Sequence, residues 1–473
     1  MAVTPTNRAS SPLSSPTDIT LVPAAAMSLG LHIGQTVRLA LPVMLSRAGL
    51  VIMIAIDTFL CRGSKLELAF FGGSVQPQSI LQSTGVGLLI GTIVLCAQAD
   101  GAGDRHHCGG IWRLSMLVAG VLGFAYAAIL AFGEPLMRLL GQPADIAAGS
   151  GAALRYFAIG MPGLMLFFAC NFFLEGISRP WPSTVIMLAG NIVNFLIAWP
   201  LADGSFGLPA LGASGAALAT SLTRWVMFAA VFIYIRRLPD RTAFGIGTGA
   251  KWQPGDLRRL LVLGVPLGFA IALESSCFMS MIVMAGWLGA TSLATMHAAI
   301  NVTSLVYMLT IGLATAAAIR VANAIGRGSW RDAAKAGWVS VSLEIAVMAC
   351  VAAIIFSGAS LIAEGYSSDA DVLALLTPVL TVTAAMIIID GMQGVLMGVL
   401  RGTSDTLIPT IIYGLSFWAI GVPIGYIFGF RQGIGPMALM SGLAVSLTIA
   451  MTMLAWRFHA LMKHKIEQHE QRV

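Results

Sequence analysis

The chain has 473 residues, of which 57% are apolar and only 10% charged, against roughly 25% charged in a soluble protein. With a mean hydropathy of +0.85, this excludes a cytosolic globular enzyme, a disordered chain and a disulfide scaffold. Long unbroken apolar runs also exclude an outer-membrane barrel, whose strands alternate apolar and polar residues.

Residues 1–34 are rich in Ser, Thr, Pro and Ala and hold no apolar run long enough for a signal peptide. They are expected to form a disordered cytoplasmic tail, with Met27 as an alternative start. Beyond them the apolar runs measure the spans. About 20 helical residues cross a hydrocarbon core of roughly 30 Å. The 45 residues from Ser275 to Ile319 contain no Asp, Glu, Lys or Arg, so this stretch reads as two helices joined by the turn "GWLGAT" at Gly286–Thr291. Read this way throughout, the chain holds twelve helices, near 36–60, 70–98, 113–137, 150–175, 181–202, 209–236, 257–286, 292–320, 335–362, 372–400, 407–430 and 435–458. Residues 459–473 form a short polar cytoplasmic tail.

The net charge of +6 does not imply nucleic acid, because the basic residues are distributed by side. With the N-terminus cytoplasmic, 20 of the 27 Lys and Arg fall on the cytoplasmic side and five outside (Arg62, Lys65, Arg138, Arg155 and Arg431). Arg47 and Arg224 fall within spans. That asymmetry is the positive-inside rule, and it places both termini in the cytoplasm.

The two halves resemble each other. "AQADGAG" at Ala97–Gly103 matches "ANAIGRG" at Ala322–Gly328 at an offset of 225 residues, and Gly87-Leu88 matches Gly312-Leu313 at the same offset. Gly176 and Arg179 match Gly398 and Arg401 at an offset of 222. Six helices per half means that both halves enter the membrane from one side. The reading is therefore an all-α polytopic membrane protein, with twelve transmembrane helices in two parallel six-helix lobes around a central cleft. The lobes are 35–245 and 246–458. Six single cysteines without CxxC spacing read as packing residues.

Of the 21 acidic residues, four stand within predicted spans: Asp57, Glu274, Glu344 and Asp390. An acid at mid-membrane costs roughly 2.5–3.5 kcal/mol on insertion, so function is its default explanation. A buried carboxyl can exchange a proton for a cation, which is the chemistry of ion coupling. Glu274 and Asp390 are the best candidates, since no basic residue lies within fourteen and ten positions of them respectively. Asp57 lies near Arg62 toward the outer end of its helix, where a solvated acid is an equal reading. Glu344, beside "SVSL", reads as a snorkelling or water-exposed acid. Arg47 or Arg224 could pair with one of these four. Asn191 and Asn194 share a face of the fifth helix, and His297 and Asn301 share a face of the eighth. Either pair could line a cavity or bond between helices.

Several segments carry a resemblance: "LALPVML…IDTFL", "AQADGAGD", "FFLEGISRPWP", "GNIVNFLI…GLPALGASGAALAT", "LGVPLGFAIALESSCF", "LATMHAAINVTSLVYM" and "MQGVLMGVLRGTSDTLIPT". From about Val37 to Phe458 the chain resembles the multidrug and toxic compound extrusion (MATE) transporters, in their NorM-like branch. The resemblance implies an inner-membrane antiporter that exports organic, often cationic, drugs in exchange for Na⁺ or H⁺, and no other cofactor. It implies cation coupling at Glu274 and Asp390, with Asp57 contributing in the other lobe. Asn194 matches an asparagine lining the first lobe's cavity, and His297 and Asn301 fall in the eighth-helix motif. Ala198 and Ala298 stand where Asn and Gln are usual. Each loss removes an oxygen ligand, which tilts the choice toward H⁺ without closing it.

The expected partners are drugs and membrane lipid, with no nucleic acid, and the protein is expected to act as a monomer. A lipid-linked sugar flippase of the same fold is the alternative, and would need a strongly basic cleft. A membrane-embedded enzyme would need a nucleophile–base or metal constellation, and the sequence offers neither an HExxH nor a paired His/Asp set.

Overall fold

The computed structural model describes residues 29–207 and 209–471. Most of the expected N-terminal tail lies outside these residues. Among the described residues no strand occurs, and twelve helices are long and apolar enough to cross a membrane. They are α1 Gly30–Gly63, α2 Lys65–Gly101, α3 Arg105–Ala131, α4 Ala144–Gly176, α5 Trp181–Asp203 and α6 Gly212–Arg236. The second half holds α7 Asp256–Trp287, α8 Ala290–Gly326, α9 Trp330–Ser357, α10 Ala370–Gly402, α11 Leu407–Arg431 and α12 Pro436–Glu470.

Several boundaries differ from expectation: α1 begins at Gly30, inside the expected tail 1–34, and α3 at Arg105, well before residue 113. α3 stops at Ala131 and α9 at Ser357, each followed by a short separate helix, Gly133–Leu139 and Ala359–Tyr366. A glycine, Gly133 or Gly358, stands at each break, where a helix is locally weak. α12 continues to Glu470 through residues expected to form a tail. There its lysines and histidines leave the apolar span without leaving the helix, as long basic side chains permit.

The packing repeats between halves. α4 lies against α2, α3 and α6, and α5 against α1 and α6. Six helices later, α10 lies against α8, α9 and α12, and α11 against α7 and α12. Matching hydrogen bonds fasten these pairs. Thr184 of α5 donates to the Pro42 carbonyl of α1 at 2.8 Å, and Thr410 of α11 donates to the Pro266 carbonyl of α7 at 2.9 Å.

The halves touch reciprocally, α1 on α8 and α2 on α7 and α8. A Cβ at Gly101 would collide with the Asn323 carbonyl, and one at Gly326 with the Gln98 carbonyl. These are the same two positions of the repeat exchanged, so only glycine lets the backbones meet there. Gly87 packs on Gly268, Gly264 on Leu88 and Gly312 on Ala40 and Met44. All these contacts use the first half of α1 and α7 and the second half of α2 and α8. The halves are therefore closed at the end holding Gly101 and Gly326, and the cleft widens toward the other.

Candidate functional site

In the first half, Asp57 is buried, not solvated. The Asn194 amide donates to its Oδ1 at 3.2 Å, and Thr220 Oγ1 donates a short hydrogen bond to Oδ2. Asn194 Nδ2 also reaches Thr220 Oγ1 at 3.1 Å. α1, α5 and α6 thus converge on one carboxyl. Arg62, the sequence neighbour, turns away and stacks over Phe59 at 3.7 Å. The basic group acting on Asp57 is Arg224, buried on α6 with its guanidinium 5.4 Å from the Phe157 ring centroid. Asp57, Thr220, Arg224, Gln78 and Gln82 line a small cavity with Phe71 and Phe157.

In the second half, one side chain joins Glu274 and Asp390. Gln393 Nε2 donates to Glu274 Oε1 at 2.9 Å and to Asp390 Oδ1 at 3.4 Å. Asp390 is 4% exposed and Glu274 half-buried. Tyr307 of α8 and Tyr413 of α11 stand beside the pair. No hydrogen bond described to either carboxyl comes from a basic side chain. The group between the carboxyls is an N–H donor, while Gln393 Oε1 is buried without a partner. That arrangement joins two carboxyls that can each take up a cation. A Na⁺ ion would need a half-turn of the amide, which would offer it three oxygens.

Sequence reasoning does not single out Gln393 or Thr220. The signal for Gln393 is its spacing, three residues after Asp390 and so on the same helix face. Asn191 takes no part in the Asp57 set; its amide donates to the Met187 carbonyl of its own helix at 3.0 Å. His297 and Asn301 are exposed, and Asn301 accepts from Tyr366 at 2.6 Å, outside the Glu274–Asp390 hydrogen bonds.

Two expectations are corrected. Glu344 is not snorkelling: it is 0% exposed, because α9 packs against α8 and α10 on that face. Arg47 pairs with none of the four acids; its partner is Glu175, which by sequence falls at a helix end. Arg47 Nη2 lies 3.3 Å from Glu175 Oε1, and Asn171 donates to the same oxygen at 2.8 Å. Glu175 is only 1% exposed. Arg401, expected at the cytoplasmic surface, is also buried and acts on this pair. Arg47 is engaged by Glu175 and Arg224 faces Asp57, so the two arginines expected within spans are each set against an acid.

The arrangement matches known proteins. The MatE family model matches residues 42–199 and 266–427, one segment in each half. A probable multidrug resistance protein NorM of Rhodopseudomonas palustris is 31% identical over 449 residues, covering 93% of this chain and 94% of that protein. The multidrug resistance protein PmpM of Pseudomonas aeruginosa is 30% identical over 461 residues, covering 95% and 96%. Among solved structures, a MATE in the bent conformation superposes with a TM-score of 0.85 at 18% identity, over 93% of this chain and 99% of that chain. The eukaryotic MATE transporter AtDTX14 gives 0.82 at 18% identity, over 94% and 99%. At such identity the structures speak for the fold. The family model, covering well over half the chain, speaks for descent: this chain belongs to the MatE family.

Proposed function

We propose that this protein is a secondary active antiporter that exports drug-like organic compounds, often cationic, in exchange for an inward-moving proton. The names of its relatives, multidrug resistance proteins, support the substrate class. The observation that carries the coupling is the Glu274–Gln393–Asp390 set, two carboxyls from different helices joined by an amide, with no basic side chain bonded to either. Carboxyls so placed need a mobile cation to neutralise them.

The positive-inside distribution of Lys and Arg supports an orientation with both termini, and the closed end of the cleft, on the cytoplasmic side of a bacterial inner membrane. The cleft then opens outward. Protonation of Glu274 and Asp390 from outside removes the negative charge that holds a cationic drug, and the drug leaves. Closure of the outer end carries the protons inward, and their release restores a charged site facing the cytoplasm. The protein works as a monomer, since one chain supplies both halves of the cleft.

The test is efflux of a fluorescent organic cation in proteoliposomes, driven separately by an inward H⁺ gradient and an inward Na⁺ gradient. The expected result is efflux with H⁺ alone. Efflux with Na⁺ alone would replace the proton by Na⁺ and require the Gln393 amide to present Oε1. Efflux with neither, from folded protein and several dyes, would refute antiport.

A further inference from the structure

Glu344 of α9 is a buried acid that the proposed exchange leaves unused, and unlike Asp57 and Glu175 it faces no guanidinium. It is 0% exposed. Thr310 of α8 donates to its Oε1 at 2.6 Å, while Oε2 is buried with no hydrogen-bond partner. A structural carboxyl so deep is ordinarily ion-paired or fully hydrogen-bonded, because an unmet charge there is costly. Glu344 is neither.

Its placement beside Asp390 is built by two glycines of α10. A Cβ at Gly391 would stand 2.5 Å from Glu344 Oε1, and one at Gly394 would stand 2.6 Å from Thr310 Cγ2. Only residues without a side chain let α9 and α8 press these groups onto the α10 backbone. Around α10, Gly391 lies about 100° from Asp390 in one direction and Gln393 about 60° in the other. Asp390 therefore stands between two carboxyls, Glu274 of α7 reached through Gln393 and Glu344 of α9 set against the α10 backbone at Gly391. Among the described residues, the groups acting on Glu344 are Thr310 and Asp390, and it acts in turn on Tyr307. α1 and α12 also pack on α9, and neither sets a charged side chain among those groups.

We propose that Glu344 is a third coupling carboxyl, which takes up the proton from Asp390 on its way inward. The step conserves charge: the O–H bond at Asp390 breaks and leaves a carboxylate, and an O–H bond forms on the Glu344 carboxylate. The inference rests on the antiport reading above, in which Glu274 and Asp390 already carry protons; once Asp390 has handed its proton on it takes up another, so Glu344 adds one proton to each cycle.

The test compares wild type with Glu344→Gln, which keeps the size of the side chain and an acceptor for Thr310. The H⁺-to-dye ratio is read from the dye gradient reached at a fixed H⁺ gradient, with melting and dye binding confirming the fold. The expected result is driven efflux by both proteins, with a lower ratio and a flattened pH profile in the variant. A wild-type ratio and pH profile in Glu344→Gln would overturn the proposal while leaving antiport standing. No driven efflux by wild type would overturn both. Should Glu344→Gln fail to fold, Glu344→Asp retains a titrating group at a shorter reach. A displaced pH profile then supports the proposal, and an unchanged one overturns it.

Discussion

In the first half of the protein each buried acid faces a guanidinium: Glu175 is bonded by Arg47 at 3.3 Å, and Asp57 lies in the field of Arg224. In the second half Glu274, Asp390 and Glu344 are met by an amide or a hydroxyl, never by a basic side chain bonded to them. The repeat sharpens the contrast. Pro42 of α1 and Pro266 of α7 fix an offset of 224, so the position equivalent to Glu274 is Leu50, seven residues before Asp57. Seven residues are about 10.5 Å of helix, so Asp57 lies two turns nearer the open end than its counterpart. "SLTR" at 221–224 matches "SLTI" at 446–449, so Ile449 stands where Arg224 stands in the first half. The fold is duplicated and the charge chemistry is not. One half sets a guanidinium against each of its buried acids, and the other leaves Glu274, Asp390 and Glu344 with none bonded to them.

The contrast can be broken at its strongest point by Asp390→Asn. This is expected to reduce gradient-driven efflux to the level of empty vesicles at matched protein amount, and wild-type efflux would refute the assignment. Glu274→Gln keeps the bond to Gln393 and removes one charge. A loss of about tenfold in efflux, one step of roughly 1.4 kcal/mol, is expected in the same assay. Arg47→Met breaks the buried pair and leaves Glu175 only Asn171 and the field of Arg401; breaking such a pair typically costs about 3–5 kcal/mol. Unfolding in detergent should show a marked loss of stability, whereas Asp390→Asn should leave the melt near wild type because it removes an uncompensated charge. The smallest effect is expected from Asp57→Asn, since Arg224 already supplies a positive charge there. Efflux should stay within about threefold of wild type, less than one 1.4 kcal/mol step, with the H⁺-to-dye ratio unchanged. A fall to background would make the two halves equal in coupling.

Much of the site is legible in the amino-acid sequence. Asp57, Glu274 and Asp390 stand out because a charge inside an apolar run has an insertion cost that needs a reason. Asn194 is legible as a polar residue on a membrane helix, though only the fold joins it to Asp57, 137 residues away. Gln393 is not, because an amide carries too little cost to mark its position in a run. Glu175 and Arg401 sit near the ends of long helices, where sequence reading assigns charges to water. Glu344 sits inside its span and reads as wet, because a linear sequence does not say which helix covers it.

What the sequence by itself determined are twelve spans and the duplication visible in "AQADGAG" and "ANAIGRG". The spans follow from hydropathy over residues close together in the chain, and the duplication from a near-constant offset. The tertiary structure alone decided the partners. Arg47 reaches Glu175 across 128 residues, Glu274 reaches Gln393 across 119, and Thr310 reaches Glu344 from the neighbouring helix. Membrane helices all look apolar to the lipid, so hydropathy does not rank which faces meet. Close packing at glycines such as Gly101, Gly326 and Gly391 makes that choice, and with it the chemistry each buried acid can perform.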